Sequence, residues 1–203
     1  MPIPYFFTMF LIFAGWFAVK RAQAAKKERE AKESFWSKEE EANVTRRKDI
    51  SLLSYIQIPC DRLPFDRVSS PEVKEQEDII RSLSGKKILN LTGISNTDLK
   101  LQYGAANLPA LTECDERFTT LCVALNRWGH LLCEEAQEDA ARQIFEFAVS
   151  IGSDICATYT ALATIYSNLD KTHRIPDLIQ QAEQLNTLSK KTIILKLSEF
   201  VHK

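Results

Sequence analysis

Apolar and polar positions divide the chain into four stretches with different patterns. Residues 3 to 19 are almost continuously apolar and carry no charged side chain. Residues 21 to 48 are rich in Ala, Lys, Glu and Arg, all good helix formers. Residues 49 to 66 are apolar and contain prolines, and the rest of the chain places apolar residues at helical spacing. This order predicts an all-α protein with an N-terminal helix, a charged helical neck and a domain of α-α hairpins.

The first stretch predicts a transmembrane anchor over residues 1–20. Lys20 and Arg21 follow the apolar run, whereas a secretory signal peptide carries its basic residues before that run. The signal peptide and a buried core helix remain as alternative interpretations. Basic residues beside a membrane span stay on the cytoplasmic side. We therefore expect a single-pass protein of the cell membrane, with the N-terminus outside and the C-terminal domain in the cytoplasm.

The second and third stretches predict how the domain is joined to the anchor. Residues 21–48 place opposite charges three and four positions apart, which is typical of a solvated helical spacer. Phe35 and Trp36 are exceptions that could rest on the bilayer or on the domain. Pro59 and Pro64 favour extended backbone, so residues 49–66 are predicted to form an extended segment that docks on the domain. That segment could also occupy the domain's own binding groove.

Residues 67–203 are predicted to form the helical domain. Ser70 and Pro71 suit the start of a helix and Gly85 its end, and Ser95 or Asn96 suits the N-cap of a shorter helix. The helices between residues 71 and 110 are expected to cap one end of the hairpins. A further helix over residues 190–202 is expected to cap the other end.

Two stretches of the helical domain align with each other under one constant shift, which places Leu125 on Tyr159. Small residues recur where helices would approach closely, and large residues recur where they would fill the adjoining holes. The first stretch contributes Leu125, Trp128, Gly129, Leu132, Ala141, Phe145 and Ala148, and the second contributes Tyr159, Leu162, Ala163, Tyr166, Ile175, Ile179 and Ala182.

This pattern resembles the tetratricopeptide repeat, with units at about residues 122–155 and 156–189. Ile175 and Ile179 depart from the family's small and aromatic residues, and Ser153 and Thr187 stand in place of its closing proline. The resemblance implies two helical hairpins that bind a protein or peptide. An anchor, a charged neck and a small repeat domain together are also similar to bacterial membrane proteins, a similarity that implies no activity.

The resemblance also implies a partner groove, because certain positions of each first helix in that family face the concave side. The groove residues here are Asn126, Arg127, His130, Thr160, Thr164 and Asn168. Small hydrogen-bonding side chains beside one cation suit an extended or helical peptide. The alternative is a solvated helix face that binds nothing.

Charge and cysteine content narrow the classes of function. The net charge of −1 gives no indication of nucleic-acid binding. The five cysteines are odd in number and form no Cys-x-x-Cys pair, which favours reduced, buried thiols. His130 and Cys133 supply two ligands one helical turn apart, whereas zinc takes at least three protein ligands. No metal, cofactor, catalytic residue or small-molecule substrate is therefore predicted.

The sequence thus predicts a membrane-anchored scaffold or adaptor that binds a protein or peptide partner at the cytoplasmic face. A structural subunit of a membrane complex is the main alternative, and it would use apolar residues such as Leu52, Ile56 and Ile58. An enzyme with a cysteine or metal site is the third interpretation.

Overall fold

The structure of the protein is a computed structural model, and it describes residues 3–201. These residues contain eight α-helices and no β-strand, so the predicted all-α class is confirmed. The helices are α1 (Ile3–Val44), α2 (Pro71–Leu83), α3 (Asn96–Tyr103), α4 (Leu108–Glu134), α5 (Glu138–Ser150), α6 (Cys156–Asn168), α7 (Ile175–Glu183) and α8 (Lys190–Val201). Single turns of 3-10 helix at Ala105–Asn107 and Thr172–Arg174 precede α4 and α7.

The chain forms two compact units. The first unit combines the residues up to 49 with Ser95–Leu108, and the second combines Ile50–Ile94 with the residues from Pro109 onward. The first therefore contains α1 and α3, and the second contains α2 and nearly all of the hairpin helices. The helices between residues 71 and 110, which the sequence groups as one cap, are divided between the two units.

Helix α1 runs without interruption for 42 residues and takes in the predicted anchor and most of the predicted neck. Its apolar stretch from residue 3 to residue 19 spans about 26 Å at the usual rise per residue, which is less than the roughly 30 Å of a bilayer's hydrocarbon core. Within residues 3–201, no helix combines the length and apolarity needed to cross a membrane. The structure therefore does not support the transmembrane anchor predicted for residues 1–20.

The last turns of α1 pack against α3. The Lys100 ammonium donates to the Glu39 carboxylate and to Oδ1 of Asn43, the latter at 2.9 Å. The Thr97 hydroxyl donates to the same Glu39 carboxylate at 2.7 Å. These bonds hold the pKa of Glu39 below its usual range, with the Lys100 bond as the largest cause. The end of the predicted neck is therefore a packing surface.

Residues 50–70 form no regular element but pack against the helices of the second unit, to which they belong. The Ile56 N–H donates to the Ile88 carbonyl at 2.9 Å, and Leu63 is buried. The Phe65 ring lies with its centroid 4.8 Å from that of the buried Trp128 in α4. The guanidinium of Arg81, a residue of α2, lies 4.7 Å from the centroid of the same Phe65 ring.

Helices α4 and α5 form a hairpin whose close approach depends on a glycine. Gly129 of α4 is buried against Phe145 of α5, and a Cβ added at Gly129 would lie 2.5 Å from Cζ of that ring. Helix α4 is 27 residues long, so it extends well before the start of the predicted first repeat at residue 122. The extra turns bury Leu111, Cys114 and Phe118.

The turns after α4 and α6 have the same backbone hydrogen bonds, at positions related by the shift that aligns the two stretches of sequence. After α4, the Gln137 N–H donates to the Leu132 carbonyl at 2.8 Å, and after α6 the Lys171 N–H donates to the Tyr166 carbonyl at 2.7 Å. The residue before each donor, Ala136 or Asp170, has a positive φ of 55° or 54°. This is the Schellman arrangement that ends helices.

The second hairpin differs from the first at the start of its second helix. A 3-10 turn at Thr172–Arg174 leads into α7, which begins at Ile175–Pro176 and has only nine residues. Proline is well placed there because the first turn of a helix has no partner for its N–H groups. Helix α8 follows and buries Ile193 and Leu197; His202, the end of the predicted cap, lies outside the described residues.

Candidate partner-binding surface

The structure places the six predicted groove residues on α4 and α6, with different degrees of exposure. Arg127, Thr164 and Asn168 are exposed, whereas Asn126, His130 and Thr160 are partly buried. The two helices are neighbours, because the Thr158 hydroxyl of α6 donates to Oδ1 of Asn126 in α4 at 3.0 Å. We define the partner face as the surface that contains these six residues.

Two of the six side chains are tied into the packing of the hairpins. Asn126 accepts the Thr158 bond just described, and Thr158 itself is buried. His130 packs edge-on against the Phe145 ring, with the ring centroids 5.3 Å apart. These contacts fix the positions of Asn126 and His130 at the edge of the partner face. Arg127 and Thr164 are exposed, and the exposed Asn168 donates to Oε1 of Glu138 in α5 at 3.4 Å.

Three hydroxyl groups of α6, those of Thr160, Thr164 and Ser167, bond to their own helix. Thr160 donates to the Ala157 carbonyl at 3.1 Å, Thr164 to the Thr160 carbonyl at 2.9 Å and Ser167 to the Ala163 carbonyl at 3.0 Å. Their hydrogens are therefore used, and their oxygen lone pairs face outward as acceptors. The partner face consequently offers acceptors from α6 and guanidinium donors from Arg127.

Helix α2 also approaches Arg127. The pKa of the Glu72 carboxyl is lowered, chiefly by the hydrogen bond that the Ser70 hydroxyl donates to it at 2.5 Å, and the positive charge of Arg127 adds to the effect. Glu72 is exposed, so this attraction is screened and weak. Arg127 remains able to turn toward an acidic group on a partner.

Two clefts of the second unit are lined by residues outside the partner face. One has a volume of about 380 Å³ and lies beside Asn90, Gly152, Gln184 and Asn186. Another has a volume of about 230 Å³ and lies beside Glu146, Tyr166, Arg174 and Leu178. None of the six predicted groove residues lines either cleft.

A charged cluster joins α5, α6 and the 3-10 turn beside the smaller cleft. The Glu146 carboxylate accepts two bonds from Arg142 at 3.0 and 2.9 Å, one from the Tyr166 hydroxyl at 2.8 Å and one from Arg174 at 3.3 Å. The Arg174 guanidinium lies 5.3 Å from the Tyr166 ring centroid. No motif in the sequence marks this cluster, because its members come from three separate elements.

The cysteines and histidines are dispersed. Cys114 and Cys122 are buried, whereas Cys60, Cys133 and Cys156 are partly buried, and all five are free thiols. Burial raises the pKa of Cys122 to about 12 and also raises the pKa of Cys133. Within the described range, no three His, Cys, Asp or Glu side chains come together as a metal site.

The apolar residues proposed for an alternative interface do not form one continuous surface. Leu52 is 93% exposed, but Ile56 and Ile58 are partly buried and pack against the core. Tyr55 donates its hydroxyl to the Ile50 carbonyl at 2.6 Å. Phe65 of the segment 49–66 contacts Trp128, which belongs to the core and is not one of the six predicted groove residues.

No protein-family model, curated protein or solved structure matches this chain.

Proposed function

We propose that the protein is a non-catalytic adaptor that captures a protein or peptide partner on the partner face of α4 and α6. The observation that carries this proposal is the hydrogen bond between Thr158 and Asn126, which holds the two helices side by side. The exposed Arg127, Thr164 and Asn168 lie on these helices.

The matching turns after α4 and α6 support the resemblance to tetratricopeptide repeats. Their backbone bonds repeat at the same spacing that aligns the two stretches of sequence, since Gln137 corresponds to Lys171 as Leu125 corresponds to Tyr159. In that family, the first helix of each hairpin lines the groove for the partner. The C-terminal half of α4 and the whole of α6 are the corresponding helices here.

The chemistry of the partner face favours a peptide that donates hydrogen bonds and carries an acidic group. The lone pairs of Thr160 and Thr164 accept N–H groups, and the Arg127 guanidinium pairs with a carboxylate. Short side chains on α6 also let a peptide backbone come close to the helix. Burial raises the pKa of the Cys133 thiol, one helical turn from His130, which disfavours the reactive thiolate, so the proposed mechanism is binding without covalent change.

We further propose that the apolar end of α1 attaches the protein to the cytoplasmic face of the cell membrane. The large apolar side chains of this end are exposed; they are Tyr5, Phe7, Met9, Phe10, Leu11, Ile12, Phe13, Trp16, Phe17 and Val19. Lys20 and Arg21 follow directly and would meet anionic headgroups. Attachment raises the concentration of the adaptor near membrane partners, so a modest affinity suffices.

The partner face is tested by a crosslinked pull-down from membranes, with the full chain and its Arg127→Glu/Thr164→Glu variant as baits. The matched control is Lys191→Glu/Thr192→Glu on α8, which changes charge by the same amount at two exposed positions. We expect a specific partner that is lost with the first variant and kept with the control. Equal recovery with both variants would place the partner elsewhere on the molecule.

Membrane attachment is tested separately by flotation with vesicles. Wild-type protein is expected to float with vesicles that contain phosphatidylserine, and Phe13→Asp/Phe17→Asp is expected to remain at the bottom of the gradient. Lys20→Glu/Arg21→Glu is expected to weaken flotation in proportion to the anionic lipid content. Equal flotation of all three proteins would contradict the proposed attachment.

A further inference from the structure

Helices α4 and α6 run side by side in the same direction. The Thr158 hydroxyl, near the start of α6, donates to Oδ1 of Asn126 in the C-terminal half of α4. At the other end of α6, the Asn168 carboxamide donates to Glu138, which begins α5 directly after the turn that follows α4. The C-termini of α4 and α6 therefore lie together at one end of the partner face.

That end of the partner face is negatively charged. We define the acidic end as Glu134, Glu135, Glu138 and Asp139, which flank the turn between α4 and α5 and are all exposed. The last turns of α4 and α6 themselves contain no basic residue. The backbone dipoles of two parallel helices add partial negative charge at their C-termini. Side chains and backbone at the acidic end therefore both attract a cation.

Arg142 and Lys171 offset only part of this negative charge. The Arg142 guanidinium bonds to the Glu146 carboxylate at 2.9 Å and lies 3.6 Å from Asp139. Its charge is therefore shared between Asp139 and a carboxylate outside the acidic end. Lys171 follows α6 and is partly buried, and the exposed Asp170 beside it in the sequence carries the opposite charge. The other three carboxylates of the acidic end therefore give it a net negative charge.

The effect of these carboxylates extends onto the partner face. Cys133 lies on α4 between His130 and the acidic end, and its side chain is partly buried. Burial is the largest cause of the raised pKa of its thiol, and the negative charges of Glu138 and Glu134 raise that pKa further. Glu138 also accepts the bond from Asn168, one of the six residues of the partner face. A ligand on this face therefore meets carboxylates as well as a guanidinium.

Arg127 and Glu134 place opposite charges at a distance that one short peptide can span. The two exposed residues are seven positions apart on α4, close to two full turns, so their side chains project from the same side of the helix. Seven residues of helix rise about 10 Å, and an extended peptide covers that distance with about three residues. One segment can therefore bring an acidic side chain to Arg127 and a basic one to Glu134.

We propose that the peptide captured on the partner face is extended and carries a lysine or arginine side chain that binds to the acidic end, in addition to the acidic group that pairs with Arg127. This inference rests on the proposed function, since it adds a second charged contact to the same face. The hydroxyl oxygens of Thr160 and Thr164 accept the N–H groups that an extended main chain leaves free, whereas a helical ligand bonds most of its N–H groups internally. A purely acidic ligand is disfavoured, because the acidic end repels it.

The test uses a display library of random linear heptapeptides, selected on the full-length protein, with the affinity of each enriched peptide measured by fluorescence anisotropy. We expect the enriched peptides to contain both an acidic and a basic residue. Glu134→Lys/Glu138→Lys is expected to weaken their binding about fivefold to tenfold, because attraction becomes repulsion. Replacing the basic residue of the peptide by glutamate should restore binding to this variant, which also shows that the variant is folded, and should weaken binding to the wild type.

The matched control is Glu183→Lys/Glu199→Lys, which makes the same change of charge at exposed positions of α7 and α8 and should leave binding unchanged. If Arg127→Glu/Thr164→Glu weakens binding and the acidic-end variant does not, the partner face stands and the basic contact is overturned. If neither variant weakens binding, the proposed function and this inference both fail. Absence of saturable binding at concentrations up to about 1 mM, the weak end of specific affinity, would also overturn the inference.

Discussion

Phe145 occupies the space that a side chain at Gly129 would need. A Cβ at residue 129 would lie 2.5 Å from Cζ of that ring, and both residues are buried. Because the ring belongs to α5 and the glycine to α4, this single contact sets how closely the two helices of the first hairpin approach. The corresponding residue of the second hairpin, Ala163, is also fully buried.

Gly129→Ala is therefore expected to destabilise the second unit by about 1–3 kcal/mol, the usual cost of overpacking a core. The gain in helix propensity from glycine to alanine, up to about 1 kcal/mol, opposes only part of this cost. The free energy of unfolding is measured by urea denaturation, followed by circular dichroism. In a double-mutant cycle, Phe145→Leu should relieve the clash, so that Gly129→Ala costs less when both substitutions are present. Additive effects of the two substitutions would contradict the proposed contact.

The turns that end α4 and α6 carry backbone strain that glycine would remove. Ala136 has a φ of 55°, a left-handed conformation that costs a non-glycine residue roughly 1–2 kcal/mol. Ala136→Gly is therefore expected to stabilise the protein by about 0.5–1 kcal/mol, once the greater flexibility of glycine in the unfolded chain is subtracted. Thermal denaturation should show a higher midpoint.

Gly152 tests the left-handed turns in the opposite direction, because here alanine replaces a glycine that has a positive φ. Its φ is 81°, and an added Cβ would lie 2.8 Å from Nδ2 of Asn90. Gly152→Ala is expected to lower the same midpoint by strain of about 1–2 kcal/mol. A shift of the midpoint in the same direction for Ala136→Gly and Gly152→Ala would contradict the left-handed conformation of one of these turns.

Glu77 gives the second unit a pH-dependent stability. Its side chain is buried, and Oε1 accepts the Asp66 N–H at 3.0 Å, while Oε2 has no hydrogen-bond partner among the described residues. Desolvation raises the pKa of this carboxyl, and the neighbouring Asp66 and Asp78 carboxylates raise it further, whereas the Asp66 N–H bond and Arg81 oppose the shift. Arg81 is itself bonded to Asp66 at 2.6 Å.

Because its folded-state pKa is raised, the stability that Glu77 contributes is fully present below its unfolded pKa of about 4.3. It is lost as the pH rises through the folded-state value. Glu77→Gln is therefore expected to stabilise the protein at pH 7 and to give no gain at or below pH 4. Urea denaturation across this pH range measures the effect, with the exposed Glu75→Gln as control. An equal gain at both ends of the range would rule out ionisation of Glu77 as the cause.

Cys122 is expected to react with iodoacetamide more slowly than Cys60 in the native protein. Its side chain is 4% exposed, and burial raises its pKa to about 12 despite an opposing hydrogen bond with Ser153. Cys60 is partly buried, and its sulfur lies 3.3 Å from Oγ of the exposed Ser84. Because the thiolate is the reactive form, iodoacetamide at pH 8 should modify Cys60 at least about tenfold faster than Cys122.

Peptide mapping by mass spectrometry gives the time course for each cysteine separately. In urea the two rates should become similar, because unfolding removes both the burial and its effect on the pKa of Cys122. Rapid modification of Cys122 in the folded protein would show that this part of α4 opens easily.

Local sequence patterns predict helices well where the signals lie within the helix itself. Ser70 and Pro71 predict the start of α2, and Ser95 caps α3 by accepting the Asp98 N–H at 3.1 Å. The period of apolar residues predicts α4 to α8 because each of these helices buries one side against the same core. The repeat alignment begins at residue 122 and therefore misses the first turns of α4, although Leu111, Cys114 and Phe118 continue the same helical spacing of apolar residues.

Composition alone gives an incomplete description of residues 3–44. Their apolar and charged halves suggest two elements with different roles, yet both support helix formation, and the backbone continues from one into the other. The charged composition of residues 21–48 predicts a solvated spacer. That composition does not reveal that Glu39 and Asn43 bond to Lys100, because that contact joins distant parts of the chain.

The sequence by itself determined the helical class, the principal turns and the constant spacing between two similar hairpins, because these follow from periodicity and capping within short segments. Only the tertiary structure decided which side chains remain available to a partner. It bonds the hydroxyls of Thr160 and Thr164 to their own helix, and it brings Val149, Gln181 and Leu185 together in a cleft. Such availability depends on contacts between distant parts of the chain, and no local pattern of residues specifies those contacts.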